Sequence, residues 1–433
     1  MSLWTERIAP GAIAAVVRQA MAAGYLSPEE PALIGHDLGM LAGRFEHLRA
    51  QFPPGTLHAV AVKANPLVGV LKGLVEAGAG LETASRGEIH LALAAGCPPE
   101  RIVYDSPAKT EVELAFALKR GVHLNADNAE EVRRLAGLRE SIPSTSTLGL
   151  RVNPLVGEGR IALTSVAGRT SKFGMPLEPE ALHPLLAAHP WISALHLHVG
   201  SQGCPVELLV SAVKRTFEVV KSLNARLGRR QVTVLDIGGG LPTSYADAAP
   251  GPELADYVRA LRAEVPELFD GSVRLVTEFG RALQVNCGWA VSRVEYVKAL
   301  PETRLAVVHL GADFMLRTAY HPKDWPHGFA VLDGEGQPKS TEGASPWTLA
   351  GPLCFAGDVI GRDVMLPAME PGDLLVIRDV GGYTLGMYSR YCSRELPAVL
   401  GYDGRQATPD FRVLRARETP EDVVAFWEGP KAR

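Results

Sequence analysis

Three segments of the sequence carry side chains that together suit an anionic, aromatic, nitrogen-containing ligand. Lys63 lies in the apolar run AVAVKANPL, where a charged amine is costly unless it is paired, deprotonated or used covalently. Gly238–Gly240 follow VLDI, and a glycine turn lets backbone N–H groups approach a phosphate closely. Glu278 and Arg281, in TEFGRAL, add a carboxylate and a guanidinium. Taken singly, these features are equally a solvent-facing lysine, an ordinary turn and a surface ion pair.

A pair of histidines lies in LHLHVGSQG. His196 and His198 are two residues apart, so an extended strand places them on the same side. Such a pair can bind a metal ion, but no cysteine or carboxylate is arranged with it along the sequence, and we predict no metal site. His198 by itself has two interpretations, a hydrogen-bonded structural histidine or a ligand-binding ring.

These segments fall at the ends of β-branched runs that alternate with amphipathic stretches from about residue 57. The eight candidate strands are 57–65, 80–85, 101–107, 122–127, 147–154, 192–200, 232–240 and 273–281. Alternation of strands and helices predicts parallel pairing, and eight such units predict a closed (β/α)8 TIM-type barrel. Reactive groups in such barrels gather where the strands end, so the three segments and the histidines are expected at one mouth.

Helical patterns at 87–95, 110–120 and 128–138 separate the first strands, and a further helix precedes them. In that preceding helix, apolar residues step by three and four along 38–52 and form one stripe. Asn128 is a predicted N-cap, because two glutamates follow it in the first turn, where the helix dipole favours negative charge.

The pattern changes after about residue 285. Short strands are predicted at 291–300, 304–311, 329–332, 352–360 and 373–379, with glycine and proline turns between them. Residues 334–346 (GEGQPKSTEGASP) are predicted to form a polar loop. The sequence therefore predicts two domains, a barrel over 36–284 and an all-β domain formed by 1–35 and 285–433.

The composition argues against several classes of protein. The 433 residues are 46% hydrophobic with a net charge of −4, so we do not expect the basic surface that nucleic-acid binding requires. No stretch reaches the length and apolarity of a membrane span, and the N-terminus does not have the pattern of a secretory signal. The five cysteines are scattered and odd in number, which favours reduced thiols in a cytoplasmic protein.

Ten motifs occur in an order that is typical of one family. They are AVKANP, LETASRGE, YDSPAKT, RVNP, SKFGM, HVGSQ, DIGGG, EFGR, GPLCFAGD and GGYTLGMYS. Through them the chain resembles, over essentially its whole length, the fold-type III pyridoxal-phosphate decarboxylases of the diaminopimelate, ornithine and arginine group. The resemblance implies an alanine-racemase-like barrel that binds pyridoxal 5'-phosphate, a C-terminal all-β domain and amino-acid decarboxylase activity.

The resemblance also implies a role for each matching residue of the barrel. Lys63 would bind the cofactor covalently, His198 would stack on its ring, and Glu278 would pair with the pyridine nitrogen. A carboxylate at that nitrogen keeps it protonated and makes the ring a strong electron sink, whereas barrel-type racemases present an arginine there. The phosphate would be held by Ser201, Gly238, Gly239, Gly240 and Arg281.

Two residues of the all-β domain are implied to reach the active site of a partner subunit. Cys354 matches the cysteine that returns a proton to Cα after carbon dioxide leaves, and Tyr383 matches a tyrosine whose hydroxyl contacts the phosphate. The neighbours of Cys354 alone would favour a small buried apolar side chain. The resemblance thus implies a homodimer with shared active sites and a small amino-acid substrate.

The chain departs from the family pattern in ways that concern the substrate. Phe279 replaces a proline and Glu82 an aspartate, while Phe355 replaces the glutamate or aspartate that faces the distal amine of the substrate. The missing acidic partner predicts a substrate with a non-standard distal group. Arg317, matching an arginine that holds a distal carboxylate, and Asp358 are the other candidate substrate-binding residues.

Two alternatives to a decarboxylase stay open at this point. A racemase, or another reaction at the Cα–H bond, would use the same scaffold, although Glu278 argues for decarboxylation. The second alternative is a non-catalytic, decarboxylase-like binding protein. Such relatives tend to lose the lysine or the cysteine, and this chain has both Lys63 and Cys354.

Overall fold

A computed structural model describes residues 3–246, 251–301 and 303–429, which divide into two compact units. Among these residues, the barrel unit comprises 3–5, 42–243 and 251–283, and the β unit comprises the rest. No helix in the described ranges is long and apolar enough to cross a membrane.

The elements are named in chain order. The strands are β1 (Ala32–Asp37), β2 (Leu57–Ala61), β3 (Gly80–Thr83), β4 (Ile102–Asp105), β5 (His123–Ala126), β6 (Leu148–Asn153), β7 (Met175–Pro176), β8 (Ile192–Leu197), β9 (Val234–Asp236), β10 (Arg274–Thr277), β11 (Gly288–Ala299), β12 (Arg304–Val308), β13 (Phe329–Leu332), β14 (Ser345–Ala350), β15 (Val359–Leu366), β16 (Leu374–Arg378), β17 (Ala398–Tyr402) and β18 (Arg412–Arg415). The α-helices are α1 (Pro10–Ala22), α2 (Leu38–Gln51), α3 (Val68–Glu76), α4 (Arg86–Ala94), α5 (Glu111–Arg120), α6 (Ala129–Ser141), α7 (Pro179–Ala188), α8 (Val206–Leu227), α9 (Leu254–Glu264), α10 (Arg281–Gln284), α11 (Leu316–Tyr320) and α12 (Pro420–Glu428).

Eight parallel strands close the barrel unit. They run in the order β5, β4, β3, β2, β10, β9, β8 and β6, and pairing of β5 with β6 completes the ring. The predicted (β/α)8 barrel is confirmed, with all eight predicted strands present, each shorter than its predicted range. The two-residue β7 pairs with β6 outside the ring.

The inward face of the barrel changes from apolar to charged along the strands. One buried cluster consists of Ala59, Val103, Ala194, Val234 and Val276. Two residues further along the chain from four of these come Asp105, His196, Asp236 and Glu278. Because side chains alternate between the two faces of a strand, this spacing of two keeps the polar group on the same inward face. The sequence thereby places a charged layer directly beyond an apolar one.

Helix starts in the barrel unit follow local sequence signals. Asn128 is the N-cap of α6, as predicted, and its Oδ1 accepts a hydrogen bond from the backbone N–H of Glu131 at 3.0 Å. Thr110 and Glu113 form a capping box at the start of α5. The predicted helix before the barrel is present as α2.

The β unit contains a nine-stranded sheet. Its main path is β15, β14, β12, β11, β1, β17 and β18, with β16 paired to both β11 and β13. Helix α1 packs its apolar residues on this sheet, where Ile13, Val17 and Leu33 are fully buried with Trp289 and Val376. The predicted all-β character of this region is therefore confirmed.

The predicted strand at 352–360 is largely wrong. Residues 352–357 form turns, and the strand β15 begins only at Val359. The Asp358 side chain accepts backbone hydrogen bonds from Ala312 and Leu353, both at 2.6 Å, and these bonds hold the turn away from an extended conformation. Strand β14 was not predicted, and its first two residues, Ser345 and Pro346, fall in the predicted polar loop, which therefore ends two residues early.

Candidate active site

Lys63 lies in a short turn rather than in a strand. Strand β2 ends at Ala61, and Val62–Ala64 form one turn of 3-10 helix, so the prediction of a strand through residue 65 is wrong at its end. The turn places the Lys63 Nζ 2.6 Å from Oε2 of Glu82, which lies at the inner face of β3. Of the three possibilities for an amine in an apolar run (paired, deprotonated or covalently used), the structure shows the first, because Lys63 is paired with Glu82.

Glu82 is fully buried beneath this lysine. Burial raises the pKa of Glu82 to about 7, although the positive charge of Lys63 opposes the shift. A carboxylate with such a pKa can accept or return a proton near neutral pH. Glu82 is thus a proton acceptor next to an amine that must lose a proton before it can act as a nucleophile.

Behind the lysine, four buried side chains form a row of alternating charge, Arg151–Asp105–His196–Glu278. Arg151 forms an ion pair with Oδ2 of Asp105. The imidazole of His196 lies between two carboxylates, with Nδ1 3.4 Å from Oδ1 of Asp105 and Nε2 3.4 Å from Oε2 of Glu278. Strand register aligns this row, because Arg151 on β6 pairs with His196 on β8.

The protonation states in this row follow from its charges. Burial opposes protonation of His196, but the carboxylates of Glu278 and Asp105 outweigh it and raise the pKa of His196 well above its ordinary value. Burial likewise opposes ionisation of Glu278, yet the attraction of His196 lowers the pKa of Glu278 to about 2. Asp236 behaves oppositely, since burial and then the charge of Glu278 raise its pKa well above the usual range. Glu278 is therefore charged at neutral pH, and its charge favours the neutral form of Asp236.

His198 differs from His196 in its protonation. Burial lowers the pKa of His198 to about 3, so its imidazole is neutral. Nδ1 of this ring accepts a hydrogen bond from the backbone N–H of Gly239 at 3.3 Å. Side-chain ligand atoms of His196, His198 and Glu278 lie within 4.8 Å of one another, so a carboxylate is arranged with the histidine pair, contrary to the sequence-based expectation. The raised pKa of His196 disfavours its use as a metal ligand, since a protonated ring nitrogen has no lone pair to offer.

The glycine turn follows β9 and is closely packed. Gly238 and Gly240 have φ of 64° and 102°, and a Cβ at Gly240 would lie 2.6 Å from the carbonyl oxygen of Gly200. Only glycine fits such a position. Two amides of the turn already have acceptors, because Gly238 donates to Oδ1 of Asp236 at 2.9 Å and Gly239 to His198. Beside the turn, Nε of Arg281 donates to Oγ of Ser201 at 2.9 Å.

The β unit carries the other predicted site residues on turns. Cys354 is exposed, and its backbone N–H lies 3.4 Å from Sγ of Cys392. The ring of Phe355 stacks on Tyr320 with centroids 6.3 Å apart and meets Tyr391 edge-on at 5.8 Å. Asp358, in contrast, is buried, and both of its carboxylate oxygens accept main-chain hydrogen bonds. Asp358 therefore shapes the turn that carries Cys354.

Arg317 and Tyr383 are brought together within the β unit. The Arg317 guanidinium lies 4.9 Å from the ring centroid of Tyr383 and 4.7 Å from that of Trp325. Tyr383 has a φ of 61°, a left-handed backbone conformation that is unusual for a residue other than glycine. Such strain is typical of a position where a side chain must point in one direction.

Several residues of the barrel mouth were not assigned a function from the sequence: Glu82, Asp105, Arg151, His196 and Asp236. All five lie within the barrel strands and are buried. The available signal was a charged residue at an inward position of a predicted strand, two residues beyond an apolar one. That signal indicates a buried charge, but it does not tell which charges on different strands become neighbours.

Comparison with known proteins adds to this geometry. Residues 38–285 match the model of the pyridoxal-dependent decarboxylase family, pyridoxal binding domain. The chain is 33% identical over 392 residues to a diaminopimelate decarboxylase of Pseudomonas aeruginosa, covering 88% of this chain and 90% of that one. A diaminopimelate decarboxylase of Helicobacter pylori is 31% identical over 374 residues, covering 85% and 88% of the two chains.

Solved structures show the same similarity. The structure of diaminopimelate decarboxylase from Helicobacter pylori in complex with L-lysine superposes with a TM-score of 0.82 and 26% sequence identity, covering 95% of this chain and 99% of that one. The lysine/ornithine decarboxylase of Vibrio vulnificus, solved with putrescine, has a TM-score of 0.74 at 21% identity, which supports the fold alone.

Proposed function

This chain belongs to the pyridoxal-dependent decarboxylase family and is a pyridoxal-phosphate-dependent amino-acid carboxy-lyase, and from this premise we propose that its substrate differs from diaminopimelate at the distal end. The observation that carries the proposal is the aromatic environment of Phe355 beside Cys354. The residues of the barrel mouth would hold the cofactor, and those of the β unit would select the substrate.

The barrel mouth fits the cofactor. Oε1 of Glu278 is buried and accepts no hydrogen bond from an amide, amine or guanidinium of the described residues, which suits a protonated pyridine nitrogen. The neutral ring of His198 can stack on an aromatic ring without a charge penalty. Arg281 and Ser201, already bonded to each other, suit a phosphate, as does the narrow glycine turn.

Bound pyridoxal phosphate supplies the electron-withdrawing ring that takes up the electron pair left at Cα when carbon dioxide departs. The residues of the chain prepare that chemistry. Lys63 would attach the cofactor through Nζ, and Glu82, 2.6 Å away, would accept the proton that Nζ must lose. Glu278, held ionised by His196, would keep the pyridine nitrogen protonated.

Reprotonation of Cα is assigned to Cys354. Its thiol is exposed on a turn, which suits a group that must approach a ligand from outside its own unit. We propose that Cys354 and Tyr383 serve the active site of a second copy of the chain, so that the functional enzyme is a homodimer. The five cysteines are free thiols, which supports a cytoplasmic location.

Selection of the substrate is assigned to the surroundings of Phe355. A distal ammonium placed there without a carboxylate would lose a charge-assisted hydrogen bond of about 1.5–3 kcal/mol. A cation over the ring faces of Phe355, Tyr320 or Tyr391 would recover about 0.5–2 kcal/mol. Asp358 does not compensate, since its oxygens are engaged with the main chain. A less basic or bulkier distal group is therefore preferred, and Arg317 would favour one that accepts hydrogen bonds.

The test is kcat/KM for carbon dioxide release from a panel of diamino, acidic and aromatic amino acids, with wild type and Phe355→Glu. We expect diaminopimelate, ornithine and lysine to be poor substrates of wild type, and Phe355→Glu to improve them about 10–100-fold, because the glutamate restores the charged hydrogen bond.

Tyr296→Glu is the matched control, since it adds the same charge at an exposed aromatic residue of strand β11. This variant should leave the order of substrates unchanged. High wild-type efficiency on diaminopimelate that the Phe355→Glu substitution does not improve would overturn the proposed substrate and leave the decarboxylase assignment in place.

A further inference from the structure

We propose that His196 is a positioning residue of the active site, which holds the Glu278 side chain as the carboxylate that faces the pyridine nitrogen of the cofactor. The inference rests on the proposed role of Glu278. His196 would touch neither cofactor nor substrate. The buried row Arg151–Asp105–His196–Glu278 would then serve to position Glu278.

The geometry carries this inference. His196 has no exposed surface, and its two ring nitrogens each lie 3.4 Å from a carboxylate oxygen, one of Asp105 and one of Glu278. These are ion-pair contacts by distance, without the geometry of hydrogen bonds, and two ionised carboxylates favour an imidazole that carries both protons. The imidazole is thus a cationic spacer that fixes the position of Glu278 relative to β4 and β8.

The charges around His196 explain why the spacer is needed. The titratable or charged groups that face it come from five strands or strand ends: Asp105, His123, Arg151, Asp236 and Glu278. Two of the three acids among them are adjacent, since the charge of Glu278 acts directly on Asp236. Without a cation between them, buried carboxylates repel one another and take up protons. A protonated Glu278 would lack the negative charge that keeps a proton on the pyridine nitrogen.

Arg151 and Asp105 supply the other two charges of the row. Burial alone would favour the neutral form of Asp105, but Arg151 and His196 lower the pKa of Asp105 well below its ordinary value. Asp105 therefore stays negative and attracts the proton on Nδ1 of His196. The row holds two positive and two negative charges, so it is neutral as a whole and can be buried.

The test compares His196→Gln with His123→Gln. His123 is also buried, on β5, and burial lowers its pKa to about 4, so it is a neutral histidine that pairs with Asn125 instead of a carboxylate. Its substitution removes a buried imidazole from the same barrel without removing a cation.

The first measurement uses the protein without cofactor. The pKa of His196 is raised in the folded state, so its contribution to stability is complete below about pH 6.5. Above that pH the unfolded chain loses this proton while the folded protein keeps it, so the contribution declines steadily and is gone once the pH passes the folded pKa. The difference in melting temperature between wild type and His196→Gln should therefore shrink from pH 6.5 to pH 9. For His123, whose pKa is lowered, the difference should stay constant over that range.

The second measurement uses enzyme loaded with pyridoxal phosphate labelled with ¹⁵N in the ring. We expect the ring-nitrogen resonance of wild type and His123→Gln to be that of a protonated pyridine, and that of His196→Gln to move towards the unprotonated position. The kcat of His196→Gln should fall about 10–100-fold, with KM changed much less.

A third measurement needs no variant. The imidazole nitrogens of His196 in wild type should report a protonated ring throughout pH 6–9. A neutral ring at pH 7, or a ring-nitrogen signal of the cofactor that is the same in His196→Gln as in wild type, would overturn the inference. Failure of wild type to attach the cofactor at Lys63 would instead overturn the proposed site.

Discussion

Two buried glutamates, one in each unit, have the same strongly lowered pKa but different hydrogen-bond partners. Glu278 in the barrel unit and Glu418 in the β unit are 4% and 6% exposed. Burial opposes the charge in both, and neighbouring positive groups overcome it and lower the pKa of each to about 2. The groups that lower the pKa form hydrogen bonds to both oxygens of Glu418, whereas they leave Oε1 of Glu278 without a nitrogen donor among the described residues.

Glu418 is saturated with donors. It accepts two hydrogen bonds from Arg390, at 2.6 and 2.7 Å, one from Arg415 at 2.6 Å and one from the backbone of Leu396 at 3.0 Å. Glu278 lies 3.4 Å from the imidazole of His196 and interacts with Asp236, whose pKa its charge raises. Its Oε1 accepts no hydrogen bond from a nitrogen donor of the described residues.

This is the difference expected between a structural carboxylate and one that binds a ligand. A buried carboxylate oxygen that no nitrogen donor reaches can take a donor from a ligand. A carboxylate with four donors has nothing left to offer a ligand and instead ties distant segments together. The pKa alone does not distinguish the two residues, whereas the donors do.

The largest expected effect on activity comes from replacing Lys63. Lys63→Ala should lose about 10³-fold or more in the rate of decarboxylation, because the covalent attachment point of the cofactor is gone. Borohydride reduction of wild type should fix the cofactor on the peptide that contains Lys63. Lys72→Ala, which removes an exposed lysine of the same unit, should keep full activity and labelling. Undiminished activity of Lys63→Ala without added amine would refute the assignment.

The next effect tests the functional carboxylate directly. Glu278→Gln should lower kcat about 10²–10³-fold, since a neutral amide does not hold the proton on the pyridine nitrogen. Its free energy of unfolding should fall as well, because His196 loses one of its two carboxylate neighbours. Steady-state kinetics and urea denaturation of both variants decide the matter. If Glu278→Gln keeps full activity, Glu278 is a structural carboxylate like Glu418.

A smaller effect tests whether the two units serve different copies of the chain. Inactive Lys63→Ala and inactive Cys354→Ala proteins, mixed under conditions of subunit exchange, should recover about a quarter of wild-type activity, because half of randomly paired dimers contain one intact site. Exchange is verified with differently tagged proteins by native mass spectrometry. Activity that stays at background after verified exchange would mean that each site belongs to a single chain.

The smallest effect concerns the structural carboxylate. Glu418→Gln should leave kcat within about twofold and lower the free energy of unfolding at pH 7 by about 1–3 kcal/mol, through lost charged hydrogen bonds. Because the folded pKa of Glu418 is depressed to about 2, its stabilisation is complete above the ordinary value of 4.5 and is lost as the pH falls through 2. The gap between wild type and variant should therefore narrow in denaturation curves from pH 6 to pH 3.5. A constant gap would contradict this account.

The barrel could be predicted because its signals are local. Alternating strands and helices, the N-cap at Asn128 and the position of Lys63 after an apolar run all depend on residues within about one turn or strand of each other. The β unit was harder, since its sheet pairs strands far apart in the chain. Strand β1, at Ala32–Asp37, pairs with β11 and β17, and no local sequence pattern predicts strand partners so far along the chain.

For the site, residue types and their order along the chain determined which side chains could bind a cofactor. Only the tertiary structure decided which of them are charged. His196 is cationic because closure of the barrel places Asp105, 91 residues earlier, and Glu278, 82 residues later, on either side of its ring. His198, two residues on, is neutral because burial lowers its pKa and no carboxylate of the described ranges lies close enough to outweigh burial. Protonation depends on distances in space between groups that are remote along the chain, and closing the barrel sets those distances.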